Sequence, residues 1–522
     1  MVNNILRFLL LFLLLGALCL GFQATSPIPG SNNSGDSLAH ASTSAPQTET
    51  PSDAAPHHGD PYARVFLVVA LLLICAMAGH FIARKLNQSA VLGELAIGIL
   101  VGALAYQLSG PMVTILRHSD QVAAATQKVL QQDVGWQEAV RLTLADAKLP
   151  PEEKAQIQTV VASPQFPQYL LVARILHFFS SFGVVLLLFM AGLESTIDRL
   201  KRAGRAVAGL GFAEVSLTFV SCYAVVWLLM PRGQSPTLPL LVAGALSATS
   251  VGISARSFQD MNKLGLPEAQ VVLGAAVLDD ILSLIILAVV TGILTTGGVA
   301  LPTIALIVLK AVLFFAVVVW FGIKFLQKDI ALFAWLDQSH VKLYFSFLLL
   351  LILAWLADLM GLATIIGAFA AGLILEERFF QIEVKSPEGG QSVESLLAPL
   401  EQLFAPLFFV LLGFQVDVTT FANPRVLLLG LLLTLVAVFG KMAATLILKK
   451  GYHKLVVGFG LVPRGEVTLI FASLGKSMGV LSTSHYSVLI IVVLLTTLIT
   501  PPCLTWALGR SDETASTQPS RD

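Results

Sequence analysis

Residues 265–292 read GLPEAQVVLGAAVLDDILSLIILAVVTG. The run is long enough to cross a bilayer as a helix, which needs about 20 mostly apolar residues. Beyond Glu268 near its start, its only charges are the adjacent pair Asp279 and Asp280. At ~1.5 Å per residue the pair lies roughly 18 Å from the start of the span, near the midplane. A charge at that depth costs about 2.5–3.5 kcal/mol on insertion scales, so acids there serve a function and have a partner. Neighbouring helical residues point about 100° apart, so both carboxylates can line one polar cavity. Two acids this close cannot both stay ionised without compensation, and a proton or a bound cation resolves the repulsion. Proton and cation competing for the same oxygens is the requirement for exchange. The alternative is a structural pair satisfied by its neighbours.

The rest of the chain places this span among others. Of 522 residues, 56% are hydrophobic and 12% charged, against about 25% charged in soluble domains. Apolar runs of about 20 residues recur and do not alternate, which excludes a β-barrel. Beyond residue 60 thirteen spans are expected, at roughly 62–84, 90–108, 174–194, 206–230, 237–255, 267–292, 301–325, 342–360, 361–378, 400–418, 425–448, 453–480 and 485–508. The fold class is thus an all-α membrane protein. The net charge of zero gives a nucleic-acid partner no electrostatic support. Cys19, Cys75, Cys222 and Cys503 lie in apolar runs with neither metal nor disulfide spacing.

At the N-terminus, Arg7 and the apolar stretch Phe8–Leu20 resemble a signal peptide, so residues 1–24 read as a signal peptide or retained signal anchor. Residues 25–60 are Ser-, Pro- and Ala-rich, too polar to build a core, and read as a disordered extracytoplasmic tail. His57 and His58 are polar filler within it. The transporter proper would run over 61–508, with 509–522 a cytoplasmic tail. With residues 25–60 outside, alternation puts Arg84, Lys85, Arg199, Lys201, Arg202, Arg205, Arg256, Lys263, Lys324, Lys328, Lys449, Lys450 and Lys454 inside, in agreement with the positive-inside rule. Residues 109–173 form one long outer loop with amphipathic segments at 122–144 and 152–161, read as a helical extracytoplasmic insertion.

Further polar groups fall inside other spans. Lys441 lies deep in LLLTLVAVFGKMAATLIL (431–448) and is a counter-ion for one aspartate, unless it snorkels to an end. Gly458 to Glu466 reads GFGLVPRGE, and Pro463 between glycines breaks the helical ladder. Such a break is tolerated only where it lines a cavity or is buried in protein. Arg464 and Glu466 can neutralise each other or the freed backbone ends. Gly244 to Gly252 reads GALSATSVG, a weaker break whose Ser247, Thr249 and Ser250 offer neutral oxygens. Interrupted helices in corresponding halves point to an inverted-repeat transporter. Glu94 and Glu194 read as solvated or capping groups, Asp417 as interfacial. Glu214 and Lys310 are possible partners with no independent reason to join them.

Eight motifs occur in an order that resembles the second family of monovalent cation:proton antiporters, which includes sodium/proton and potassium-efflux antiporters. They are VLGELAIGILVG (91–102), GVVLLLFMAGLE (183–194), LSATSVGI (246–253), GAAVLDDILSLIILA (274–288), GLATIIGAFAAGLIL (361–375), APLFFVLLGFQVD (405–417), VFGKMAA (438–444) and GLVPRGEVTLIFA (460–472). The resemblance covers roughly 62–108 and 174–508. It implies a homodimer of thirteen-helix protomers, each with a dimerisation domain and a mobile core containing two crossed, broken helices. It implies that Asp280 is the principal ion- and proton-binding carboxylate and Asp279 its partner. Lys441 would be the lysine that, in electrogenic members, bridges to the first aspartate. Thr249 and Ser250 would lie at one break, and Pro463, Arg464 and Glu466 at the other. The insertion at 109–173 is not part of the pattern.

The function expected is a secondary antiporter exchanging Na⁺, with Li⁺ possible, for H⁺ by alternating access in the cytoplasmic membrane, the N-terminus outside. The monovalent cation would sit at Asp279 and Asp280, and no cofactor is implied. K⁺/H⁺ exchange and a non-transporting sensor are the alternatives. No repeated filter loop points to a channel, and neither HExxH nor GxSxG points to a hydrolase.

Overall fold

The computed structural model describes residues 62–86, 88–107, 111–118, 125, 128–129, 134–146, 151–194, 204–229, 237–263, 265–296, 301–324, 338–375, 392–449 and 451–516. The expected signal segment and 25–60 tail, and Arg199, Lys201, Arg202, Lys328 and Lys450 of the expected inside loops, lie outside the described residues. All regular structure among the described residues is helical. In chain order the helices are α1 (Ala63–Lys85), α2 (Ala90–Gln107), α3 (Pro111–Arg117), α4 (Trp136–Asp146), α5 (Pro151–Val161) and α6 (Phe166–Glu194). Then come α7 (Gly204–Leu229), α8 (Thr237–Ser247), α9 (Val251–Asp260), α10 (Pro267–Thr296), α11 (Leu301–Lys324) and α12 (Gln338–Leu359). Last are α13 (Thr364–Ile374), α14 (Val393–Phe414), α15 (Pro424–Ala444), α16 (Lys454–Gly460), α17 (Glu466–Ser477) and α18 (Thr483–Ser516).

Among the described residues ten segments, with α8 and α9 taken together, are long and apolar enough to cross a membrane, and Ala90–Tyr106 and Thr364–Ile374 are shorter apolar helices. In lipid only a helix satisfies every backbone group within its own segment, which is why these runs fold as they do. Their outward faces are apolar too. Leu428, Leu431, Leu435 and Phe439 form an exposed stripe on α15 at helical spacing, while Leu433, Ala437 and Lys441, four apart, face inward and are buried. Lys441 therefore does not snorkel. Some boundaries move from those expected. The third span begins at Phe166 instead of 174, because Pro167 sits in the first turn, where its missing N–H costs nothing. The last helix continues to Ser516, past the expected tail boundary at 509. In the insertion, α3, α4 and α5 are helical, and α3 packs on α2, α5, α6 and α14.

The helices sort into two groups by packing. In the first, α6 packs on α13 and α14, α2 on α1 and α14, and α12 on α13, while α11 lies between the groups, against α13 and against α10 of the second. In the second, α7 packs on α8, α10 and α15, while α18 packs on α15, α16 and α17. Within the first group α6 and α13 approach backbone to backbone. A Cβ on Gly192 would run into the Phe369 carbonyl, and one on Gly372 into the Phe189 carbonyl. Small residues at such crossings are how helices associate where lipid removes the hydrophobic drive. Gly372→Leu is expected to lower stability by about 1–3 kcal/mol through overpacking, read as a lower melting temperature of the purified protein in detergent. Gly209→Ala is the control, because its Cβ meets nothing within 4 Å.

Candidate functional site

The second group contains two helices broken in mid-span. The chain leaves α8 after Ser247 and resumes as α9 at Val251; it leaves α16 after Gly460 and resumes as α17 at Glu466. Each break frees carbonyls at a helix C-terminus and N–H groups at a helix N-terminus, and inside a membrane these must find partners. They find them across the breaks. The Ser250 N–H donates to the Pro463 carbonyl at 3.0 Å. The Thr249 hydroxyl donates to the Leu461 carbonyl at 3.2 Å, and Ser254 to Gly460 at 2.6 Å. In return Thr468 donates to the Ala245 carbonyl at 2.8 Å. Gly465 makes the approach possible: a Cβ there would press on the Ser250 side chain.

Two cations sit at the negative ends of the half-helices, where the macrodipole favours them. Lys441 donates to the Ser247 carbonyl ending α8 at 2.6 Å. Arg464 donates to the Leu461 carbonyl just past α16 at 3.3 Å, and its own carbonyl accepts from Thr497 of α18 at 3.0 Å. Among the described residues Arg464 and Glu466 form no salt bridge; of the two roles open to them from the sequence, Arg464 takes that of serving a freed backbone end, and Glu466 accepts from the Ser250 hydroxyl at 3.0 Å. The reason is geometric: Arg464 precedes the α17 start and points back to α16, whereas Glu466 opens α17 toward Ser250.

Asp279 and Asp280, on α10, meet this crossing with different surroundings. Asp279 is fully buried; it accepts from Ser283 at 2.9 Å, lies 3.4 Å from the Lys441 ammonium, and faces Thr249 and Arg464. Asp280 is 6% exposed and faces the acids Asp279, Glu466 and Glu194. Among the described residues no hydrogen bond or salt bridge reaches it. One carboxylate is thus held by cations and hydroxyls, and the other is surrounded by acids.

The residue that sequence reading noticed but did not join to the site is Glu214. It is fully buried on α7 and is the salt-bridge partner of Lys441. Its suggested companion Lys310 is exposed on α11 instead. Glu214 belongs to an inward stripe, Leu210, Glu214, Thr218 and Cys222, all fully buried at four-residue spacing, and that spacing was the available signal. Ser283 was also legible, since it follows Asp279 by four residues and shares its face. Glu94 is not solvated: it is buried and lies 3.8 Å from His80. Glu194 is exposed at the end of α6.

A cavity of about 520 Å³ opens between the two helix groups at the Arg84–Lys85 end. Leu86 and Ser89 line it from the first group, and Ser257, Met261, Thr497 and Thr505 from the second. Because Thr497 bonds the Arg464 carbonyl, the cavity reaches the edge of the broken-helix crossing.

The chain is similar to known proteins. Residues 68–509 match the family model described as sodium/hydrogen exchanger, transmembrane. The chain is 31% identical over 455 residues to the high-affinity Na⁺/H⁺ antiporter NhaS3 of Synechocystis sp., covering 85% of this chain and 89% of that one. It is 33% identical over 369 residues to the Na⁺/H⁺-K⁺ antiporter GerN of Bacillus cereus, covering 68% of this chain and 89% of that one. In fold it is similar to the sodium proton antiporter MjNhaP1 of Methanocaldococcus jannaschii, with a TM-score of 0.53 at 14% identity, covering 86% of this chain and 98% of the other.

Proposed function

The chain belongs to the sodium/hydrogen exchanger family and is a multi-pass monovalent cation/proton antiporter, a secondary transporter and not an enzyme; from that premise we propose that it exchanges Na⁺ for H⁺, with Asp280 as the principal binding carboxylate and Asp279 as its switchable partner. The observation that carries this reading is the inequality of the two acids. Asp279 has Lys441 and Ser283, while Asp280 faces only further acids among the charged groups near it. Deprotonated, Asp280 gives a cation its formal charge, and Thr249, Ser250 and carbonyls freed at the breaks supply neutral oxygens, the hard ligands such an ion takes. A proton on Asp280 removes that charge and expels the cation. Asp279 either joins the ion or holds Lys441, so two protons can move for each cation.

The ten long spans, two short apolar helices and the α16–α17 pair support thirteen crossings. The two breaks that bond to one another support inverted repeats, with the α7–α10 and α15–α18 group as the moving core. Arg84 and Lys85 at the cavity end support a cytoplasmic opening, with the N-terminus outside. The first helix group would carry the homodimer interface.

The test uses inverted membrane vesicles with an acid interior, to which Na⁺, Li⁺ and K⁺ are added separately while the pH gradient is followed. Na⁺ is expected to collapse the gradient at the lowest concentration. A response to K⁺ alone would move the cation assignment to the K⁺ half of GerN's description, and no response to any monovalent cation would remove the exchange reading. Repeating the measurement with the membrane potential clamped reads the charge moved per cycle.

A further inference from the structure

Away from the cavity, the two helix groups are joined at the opposite membrane end, and the insertion takes part in that junction. Helix α14 ends at Phe414, where the Gln415 N–H closes on the Leu412 carbonyl at 3.1 Å, leaving the second lone pair of that carbonyl and the Gln415 carbonyl beyond it as further acceptors. Two side chains of the core reach them. Lys476, at the end of α17, donates to the Gln415 carbonyl at 3.1 Å, and Tyr486, in the first turn of α18, donates to the Leu412 carbonyl at 3.0 Å. The Lys476 ammonium also lies 4.6 Å over the Tyr486 ring. Two residues past Gln415, Asp417 caps the following 3₁₀ turn through the Thr419 N–H at 3.0 Å and takes the Arg117 guanidinium at 2.8 Å.

Arg117 ends helix α3, inside the insertion. It is buried and stacks on Tyr106 of α2 at 4.1 Å, and the Tyr106 hydroxyl donates to Gln156 of α5 at 3.1 Å. His118 follows it, also buried. Burial first, then the charges of Lys476 and Arg117, press its imidazole down to about 3, so the insertion and the core lie within electrostatic reach of one another.

From this arrangement we infer that Lys476 and Tyr486 form the outer latch of the transport cycle, and that the insertion, through Arg117 on Asp417, braces the end of α14 to which they are fastened. The inference rests on the exchange reading above. The cavity opens between the groups at one end while this end is tied, the arrangement of a state open at the cavity end. Opening the other face requires the core to leave the Leu412 and Gln415 carbonyls. A brace that holds those carbonyls in place biases the ratio of the two states without touching the ion.

The latch is tested with the full chain in sided proteoliposomes, reading the Na⁺ half-saturation from each face. Tyr486→Phe and Arg117→Gln are each expected to lower the outer value and raise the inner one, changing their ratio by roughly fivefold, the equivalent of one net hydrogen bond. Combining Arg117→Asp with Asp417→Arg is expected to restore the ratio. A purely structural role would lower turnover from both faces alike and overturn the latch. A shifted ratio for Tyr486→Phe with an unshifted one for Arg117→Gln would overturn the part assigned to the insertion. A wild-type protein silent toward every cation would instead fail the exchange reading. Should Arg117→Gln not fold, hydrogen exchange on the unsubstituted protein decides. Amides at 112–118 and 478–486 are expected to respond together to Na⁺, and a response confined to 478–486 would overturn the inference.

Discussion

Asp280→Asn is expected to reduce cation-driven collapse of the pH gradient to the level of vesicles lacking the protein. The substitution keeps the shape of the side chain and removes both its charge and its exchangeable proton. Asp280 has no cationic partner among the described residues, so no internal ion pair is lost and the helix should insert and pack as before. What is lost is the attraction between a bound cation and a carboxylate, about 4 kcal/mol at 4 Å for an effective dielectric of 20. That corresponds to roughly three orders of magnitude in affinity. The readouts are exchange in inverted vesicles and Na⁺ binding to the purified protein by calorimetry, with melting temperature as the check on folding. Full exchange in Asp280→Asn would move the site elsewhere.

The second large effect is expected at Lys441 and falls first on stability. Its ammonium is shared by Glu214, Asp279 and the Ser247 carbonyl, with Lys441, Glu214 and Asp279 all fully buried. Lys441→Met keeps much of the volume but leaves buried carboxylates without their cation. Breaking a buried pair from one side costs about 3–5 kcal/mol, whereas replacing both partners can be close to neutral. Lys441→Met should therefore lower the melting temperature sharply in detergent, and adding Glu214→Gln should recover most of the loss. If Glu214→Gln recovers nothing, Asp279 is the partner that matters for stability. Transport gives the second readout. With Lys441 gone, Asp279 has no ammonium to hold, and the dependence of exchange on membrane potential should fall. An unchanged melting temperature together with unchanged potential dependence would remove Lys441 from both roles.

Much of this arrangement could be read before any coordinates. The Asp279–Asp280 pair declared itself because charge at the midplane of an apolar span is costly, and that cost is a property of the span alone. Pro463 between glycines declared a helix break for an equally local reason, the missing N–H and the ring. The GALSATSVG break was fainter because no proline marks it: α8 stops at Ser247 only because its last carbonyls find Thr468 and Lys441 from other helices. Lys441 was legible as a charge deep in a span, but its inward direction was not, because both faces of α15 are apolar.

What the sequence could not carry was which buried groups meet. Glu214 and Lys441 are 227 positions apart, and each was visible as a charge in a membrane span. Nothing local chooses Glu214 over Lys310, because the choice depends on α7 packing against α15 while the Lys310 face of α11 stays outside. The absence of an Arg464–Glu466 pair has the same origin, since adjacency in sequence was overridden by the carbonyls and hydroxyl that tertiary packing brought closer. The insertion was legible as helical and outside the family pattern, but its seat on Asp417 was not. By itself, then, the sequence determined the membrane-spanning helices, the pair of midplane acids and the positions of the breaks, because hydrophobic length, desolvation cost and backbone chemistry act within one segment. Only the tertiary structure decided that Lys441 is shared by Glu214 as well as Asp279, and that Asp280 faces further acids, because helix packing sets which charges share a buried volume.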